Sequence, residues 1–203
     1  MRPRGRTGGG GRQRTPGGKL PARIYITGFM GSGKSTVGPL LALALGYQFI
    51  DLDDVIAEKE GQTIPEIFDG RGEKEFRAIE QRELRALLAH EKVVVATGGG
   101  ALTNPATLAA LRRSGILLYL RVPAETLFER LRGARGRPMI SAASGLPLDD
   151  DALRGRINRL LAEREQSYRE SDIVVEAAGR TPAETVAAVI AALNPPQAPA
   201  KRS

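Results

Sequence analysis

The residues best suited to chemistry form a glycine-rich segment, residues 28–35, that reads G-F-M-G-S-G-K-S. Its spacing matches the phosphate-binding pattern G-x-x-x-x-G-K-S, in which glycines let backbone N–H groups close around an anion. In that pattern Lys34 reaches the β- and γ-phosphates of a nucleotide, and the Ser35 hydroxyl is a ligand for Mg²⁺. The segment therefore predicts binding of ATP or GTP. The residues expected to contact the nucleotide here are Gly31, Ser32, Gly33, Lys34, Ser35 and Thr36.

Two carboxylates, Asp51 and Asp53, follow an apolar run at residues 47–50. Alternation along an extended chain would place them on the same side of the strand's C-terminal end, where open α/β sheets bind ligands. Near a triphosphate, one carboxylate suits Mg²⁺ and its waters and the other suits a substrate hydroxyl. The alternative is that they only cap a helix predicted over residues 55–60, a role for which Asp54 is the better candidate.

A second glycine run, Gly98, Gly99 and Gly100, follows the β-branched run at residues 93–96. Such a run is typical of a buried central strand, and three glycines at its end would let backbone N–H groups approach a ligand closely. P-loop enzymes often carry an aspartate for Mg²⁺ at this point. Because this sequence has none there, we assign that role to Asp51.

Arginines are concentrated at the start of an irregular segment, residues 133–150, in which we expect a mobile lid. A lid that carries arginines onto phosphates is one interpretation, and a solvated charged run is the alternative. The arginines are Arg130, Arg132, Arg135 and Arg137. Elsewhere, Arg77 and Glu80 share a face of a long amphipathic helix predicted over residues 73–89, which alone would indicate a surface ion pair.

The elements that must position these residues alternate along the chain. Strands are predicted near residues 24–27, 47–50, 93–96, 116–120 and 172–176, with helices between them. This order predicts an α/β fold with a parallel sheet covered on both faces. Capping signals at Thr63, Asn104 and Thr181 start three of the helices.

Composition sets limits on the function. Without cysteine there is no disulfide or thiolate site, and a single histidine, His90, excludes a two-histidine metal site. The net charge of +7 arises from the termini, because residues 21–194 hold 22 basic and 23 acidic residues. A basic stripe for nucleic acid is therefore not expected in the folded body. No apolar run is long enough for a membrane span and no secretory signal is present, so we expect a cytoplasmic protein.

We divide the chain into a folded domain, residues 21–194, and two disordered ends. The leader, residues 1–20, is rich in arginine and glycine and has almost nothing to bury. It could hold nucleic acid weakly, but a solvated tail, or a start codon placed too far upstream, is the interpretation we favour. Residues 195–203 form a short Pro/Ala tail.

In combination, these motifs resemble those of shikimate kinases, over about residues 24–193. The motifs are G-F-M-G-S-G-K-S-T from Gly28, F-I-D-L-D from Phe49, G-E-K-E-F-R-A-I-E from Gly72, T-G-G-G-A from Thr97 and R-P-M-I from Arg137. The resemblance implies a nucleoside-monophosphate-kinase-like P-loop fold, with a five-stranded parallel sheet in three layers.

The resemblance also implies roles for single residues. Asp53 would hold the ring hydroxyls of the substrate and act as the base, while Arg77 and Arg164 would grip the shikimate carboxylate beside Gly98, Gly99 and Gly100. Arg137 would reach the phosphates from the lid and, with Asp53 and Lys34, complete the catalytic set. Arg130 would pack on adenine, Arg180 and Pro182 would border the same base, and Asp51 and Ser35 would hold Mg²⁺.

The implied activity is ATP-dependent phosphorylation of the shikimate 3-hydroxyl by a monomer, a step toward aromatic amino acids. One alternative is another small-molecule kinase of the same fold, acting on gluconate or a nucleoside monophosphate. A second is a P-loop binding module that has lost catalysis and touches nucleic acid through its leader.

Overall fold

The computed structural model describes residues 20–133, 138–141 and 148–194 of the 203-residue chain. The strands are β1 (Arg23–Thr27), β2 (Gln48–Asp51), β3 (Val93–Ala96), β4 (Ile116–Arg121) and β5 (Ile173–Glu176). The α-helices are α1 (Lys34–Leu45), α2 (Leu52–Glu60), α3 (Ile64–Leu87), α4 (Pro105–Ser114), α5 (Ala124–Leu131), α6 (Asp150–Arg169) and α7 (Pro182–Leu193).

The five strands form one parallel sheet in the order β2-β3-β1-β4-β5. This order places β1 beside β3, with Ile26 paired to Ala96, and Thr97 donates its N–H to the Ile26 carbonyl at 2.9 Å. The glycine-rich segment after β1 and the three glycines after β3 therefore leave the same edge of the sheet as neighbours. The α/β prediction with a five-stranded parallel sheet is confirmed.

Helices cover both faces of the sheet, which gives three layers. Ile24 and Ile26 of β1 pack in one hydrophobic cluster with residues of α1, α5, α6 and α7. Tyr25, which lies between them, packs in a second cluster with residues of α2, α3 and α4. Because successive side chains of a strand point to opposite faces, the two clusters are the two core layers.

The start of α2 differs from the prediction. The helix begins at Leu52 rather than at residue 55, and its N-cap is Asp51, whose Oδ1 accepts a hydrogen bond from the Asp53 N–H at 3.1 Å. Asp53 thus lies in the first turn of a helix, so both its expected position on an extended strand end and the capping role given to Asp54 are wrong. Because the Asp51 side chain satisfies a free helix N–H, the chain turns into α2 directly after β2.

Helix α3 joins the two helices predicted from Thr63 and residue 73. Thr63 caps its start, as predicted, through a reciprocal pair of bonds with Glu66. The two helical segments meet at a kink at Gly72, where φ is 79° and ψ is 168°. The second segment ends at Leu87 rather than at residue 89.

Several predictions concern residues outside the described ranges. They include the leader up to residue 19, the tail at 195–203, and Arg135 and Arg137 with most of the expected lid. Within the described ranges, no helix is both long enough and apolar enough to cross a membrane.

Candidate active site

The glycine-rich segment connects β1 to α1 through a backbone that glycine alone accommodates. Gly28 has a φ of 149°, and a Cβ there would come within 2.7 Å of Ser32 Oγ and 2.8 Å of the Leu120 carbonyl oxygen. Gly31 and Gly33 also have positive φ values, 79° and 99°. The loop therefore winds tightly before α1, whose positive N-terminal end faces any anion held there.

Lys34 and Ser35 are both fixed by hydrogen bonds at the start of α1. Lys34 Nζ donates to the carbonyl oxygens of Gly28 at 2.9 Å and Phe29 at 3.2 Å. Ser35 Oγ donates to Asp51 Oδ2 at 2.8 Å. The ammonium group thus lies over its own loop, and a hydroxyl from the start of α1 lies next to a carboxylate from the end of β2.

Asp53 is a half-buried residue whose Oδ1 atom is buried and accepts no hydrogen bond from the described residues. Burial raises the pKa of Asp53, and the charge of Asp51 raises it further, against the opposing charges of Lys34 and Arg77. A carboxylate with a raised pKa is a stronger proton acceptor than an ordinary aspartate. This environment suits a general base.

Arg77 is held by two carboxylates of α3. Its Nη1 donates to Glu80 Oε2 at 2.9 Å and its Nη2 to Glu73 Oε1 at 3.2 Å. Glu80 is only 1% exposed, and burial raises its pKa against the lowering effect of the Arg77 charge. The pair is therefore a buried contact in the cleft rather than the surface ion pair that spacing alone indicates.

Each glycine of the second run lies against a different charged side chain. A Cβ on Gly98 would overlap Glu80 Oε1, one on Gly99 would lie 3.1 Å from Arg164 Nη1, and one on Gly100 would lie 2.5 Å from Arg77 Nη2. Glycine at these three positions allows the two arginines and Glu80 to touch the loop backbone. The loop and the arginines therefore form one continuous surface.

Arg164 enters this surface from α6 and is 4% exposed. Its guanidinium lies 5.7 Å from the centre of the Phe29 ring, which belongs to the glycine-rich segment. One helical turn further along α6, the Tyr168 hydroxyl donates to the Gly99 carbonyl at 2.5 Å. No sequence motif includes Tyr168, although its spacing of four residues from Arg164 places both on one helix face.

Two further arginines, Arg130 and Arg180, lie where the cleft is bordered by the glycine-rich loop and by the residues after β5. Arg130 Nη1 donates to the Gly31 carbonyl at 2.9 Å, and Arg180 Nη1 donates to the Glu176 carbonyl at 2.6 Å. Both line the cleft together with Pro182. They are thus tied to the glycine-rich loop and to the end of β5.

One cleft of about 780 Å³ contains both groups of residues. The residues predicted from the sequence that line it are Gly31, Ser32, Gly33, Lys34, Ser35, Thr36, Asp51, Asp53, Arg77, Gly98, Gly99, Gly100, Arg130, Arg164, Arg180 and Pro182. Arg137, which was predicted with them, lies outside the described residues. The prediction missed an apolar wall from α3, formed by Ile64, Pro65, Phe68 and Phe76. The capping signal at Thr63, which marks the start of α3, is the sequence feature that could have indicated this wall.

The cleft offers oxygen ligands rather than a complete metal cage. Across the described ranges, no three or more His, Cys, Asp or Glu side chains are grouped to hold a metal ion. Mg²⁺ in nucleotide sites is usually held by one or two protein oxygens together with substrate phosphates and water. The adjacent oxygens of Ser35 and Asp51 fit that kind of site.

Comparison with known proteins gives a consistent result. A family model described as "Shikimate kinase" matches residues 30–194. The shikimate kinase of Chlorobium chlorochromatii is 42% identical over 168 residues, 83% of this chain and 88% of that protein. The shikimate kinase of a Synechococcus strain is 46% identical over 157 residues, 77% and 76% of the two chains. The structure of shikimate kinase from Acinetobacter baumannii in complex with shikimate superposes with a TM-score of 0.76 at 33% identity, covering 84% and 91% of the two chains.

Proposed function

The chain belongs to the shikimate kinase family, and from that premise we propose that it transfers the γ-phosphoryl group of ATP to the 3-hydroxyl of shikimate. The product would be shikimate 3-phosphate, an intermediate on the route to aromatic amino acids. One observation carries the proposal: Arg77, Arg164 and Asp53 converge with a three-glycine loop in the cleft that holds the phosphate-binding loop.

Arg77 and Arg164 supply the recognition of an acidic acceptor. A guanidinium binds a carboxylate through two parallel hydrogen bonds, and the planar fork makes arginine better suited to this than lysine. Glu80 and Glu73 hold Arg77, while Phe29 and the Gly99 backbone flank Arg164. Two oriented arginines beside one loop would fix the shikimate ring by its carboxylate.

Asp53 would then orient the 3-hydroxyl and accept its proton. The hydroxyl oxygen forms a bond to the γ-phosphorus, the bond from that phosphorus to the β–γ bridging oxygen breaks, and ADP leaves. Lys34 would stabilise the negative charge on the transferred group from the phosphate-binding loop. We propose that Arg137 stabilises the same negative charge from the lid expected at residues 133–150.

Ser35 and Asp51 would hold Mg²⁺, through the hydroxyl and, directly or through water, the carboxylate. When bound, Mg²⁺ would supply positive charge that neutralises the phosphates. The role of this chain is to keep the two oxygen ligands adjacent at the ends of the loop and of β2.

The nucleotide would be bound by residues 31–36, with its base near Arg130, Arg180 and Pro182. Arg130 is already bonded to the loop, so its guanidinium can border the adenine without reorganising. We extend the proposal to a monomer that acts in the cytoplasm. Light scattering of the purified protein tests the monomer.

The proposal is tested by measuring ADP release with ATP and Mg²⁺ in the presence of shikimate, gluconate or nucleoside monophosphates. Turnover restricted to shikimate is the expected result. Turnover with gluconate or a nucleoside monophosphate instead would support the role of the phosphate-binding loop and contradict carboxylate binding by Arg77 and Arg164. No turnover with any acceptor would favour a P-loop module without catalysis.

A further inference from the structure

Tyr168 is a buried residue that the proposed chemistry does not use. Its side chain is 1% exposed and lies near the C-terminal end of α6, four residues after Arg164. Its hydroxyl donates to the Gly99 carbonyl at 2.5 Å, and the Arg164 guanidinium lies close enough to this hydroxyl to lower its pKa. One phenol thus connects a substrate arginine on a helix to the substrate loop after β3.

The direction of the Tyr168 bond is fixed by chemistry. A carbonyl only accepts, so the Tyr168 O–H donates to Gly99, and the lone pairs of the same oxygen remain for a donor such as the nearby Arg164 guanidinium. Burial raises the pKa of Tyr168 to about 12, against the lowering effect of the Arg164 charge. The hydroxyl therefore keeps its proton and stays a donor at neutral pH.

The ring of Tyr168 has little freedom to move. It stacks on Tyr119 of β4, with ring centres 4.7 Å apart and an angle of 27° between the planes. The Tyr119 hydroxyl in turn donates to Glu165 of α6 at 3.4 Å. A side chain held on its face and at its tip is a rigid link between α6 and the sheet.

The space at Gly99 shows how close these groups are. A Cβ there would lie 3.1 Å from Arg164 Nη1, 3.2 Å from the Gly28 carbonyl oxygen and 3.3 Å from the Tyr168 oxygen. The loop therefore passes between the arginine, the tyrosine and the phosphate-binding segment. A small shift of its backbone would change the distance between Arg164 and the N–H groups of Gly98 to Gly100.

We propose that Tyr168 is a positioning residue for the acceptor: its hydroxyl sets the Gly99 backbone and the Arg164 guanidinium in one arrangement that fits a carboxylate. The inference rests on the proposed function, because it assumes that the acceptor carries the carboxylate that Arg164 binds. It assigns Tyr168 to acceptor binding and not to the nucleotide.

The test is Tyr168→Phe, which removes the hydroxyl and keeps the ring that stacks on Tyr119. Tyr25→Phe is the matched control, because Tyr25 is also fully buried and its hydroxyl bonds to Ser114 at 2.9 Å, outside the cleft. We expect Tyr168→Phe to raise the KM and the dissociation constant for shikimate about tenfold, equivalent to about 1.4 kcal/mol, and to change the KM for ATP less than twofold. Tyr25→Phe should change neither constant.

A double-variant cycle separates positioning from a general structural role. If Tyr168 acts through Arg164, Arg164→Lys should reduce the effect of Tyr168→Phe on shikimate binding, whereas it should leave the effect of Tyr25→Phe unchanged. An unchanged KM for shikimate in Tyr168→Phe, an equal rise in both substrates' KM, or strict additivity with Arg164→Lys would overturn the inference. If the wild-type protein does not phosphorylate shikimate, that result contradicts the proposed function itself, whatever the Tyr168 variants show.

Discussion

Gly100 lies against the guanidinium of Arg77, so closely that a Cβ on Gly100 would come within 2.5 Å of Arg77 Nη2. Gly100 therefore helps to set the position of Arg77, together with Glu80, which accepts a hydrogen bond from Nη1. A glycine whose Cβ would face open space could be replaced by a larger residue. At Gly100 the Arg77 guanidinium already occupies the space that a side chain would need. If Arg77 binds the acceptor as proposed, specificity for the acceptor also depends on Gly100, a residue that has no side chain.

Gly100→Ala should displace Arg77 and raise the KM for shikimate at least tenfold, while the KM for ATP stays within twofold. Steady-state kinetics with each substrate varied separately measure both values. Gly155→Ala is the control, since Gly155 is exposed on α6 with no atom within 4 Å of an added Cβ. The control should keep full activity and gain about 0.5–1 kcal/mol of stability from the better helix former. Equal kinetics in the two variants would refute the packing argument.

Lys34→Met should lower kcat by about 10²–10³, because a preorganised charge near the transferred phosphoryl group is lost. Shikimate binding, measured by calorimetry without nucleotide, should be unchanged. Lys92→Met, at an exposed lysine that does not line the cleft, is the matched control. A Lys34→Met enzyme with wild-type kcat would remove the phosphate role from this residue.

Asp53→Asn should lower kcat by about 10²–10⁴, the usual contribution of a general base, because the amide cannot accept the hydroxyl proton. The dissociation constant for ATP should not change. Asp69→Asn, at an exposed position of α3, should behave as the wild type. An Asp53→Asn enzyme that turns over at the wild-type rate would show that another group takes the proton.

The raised pKa of Asp53 also predicts a pH dependence of stability. Because burial holds the pKa of this carboxyl above its unfolded value, its contribution is present at low pH and is lost as pH rises through the folded pKa. In Asp53→Asn this carboxyl group is replaced by an amide, which does not titrate. The gain in melting temperature of this variant over the wild type should therefore increase from about pH 4, near the ordinary carboxyl pKa, to about pH 7. A constant difference in calorimetry of the ligand-free proteins would contradict the buried-charge argument.

The phosphate-binding loop was predictable because its geometry is local. Glycines at 28, 31 and 33 followed by Lys34 determine the turn from within eight residues. The order of strands and helices followed from alternation along the chain in the same way. These parts of the account needed no knowledge of what packs on them.

The arrangement of Asp51 and Asp53 was predicted incorrectly for a reason that is also physical. The sequence allows either a longer strand or an early helix, and the side-chain bond from Asp51 to the Asp53 N–H selects the helix. The contact of Tyr168 with Gly99 crosses 69 residues of sequence, so no local pattern reveals it. Burial of Glu80 likewise depends on packing of α3 against the Gly98 loop.

The most direct test of the central claim is the structure of the product. The purified protein would be incubated with ATP, Mg²⁺ and shikimate, and the phosphorus–proton coupling of the product would be measured by NMR. The account predicts one phosphate ester per ADP formed, with its phosphorus coupled to the proton on carbon 3 of the ring. Coupling to another ring position, or release of inorganic phosphate without an ester, would contradict it.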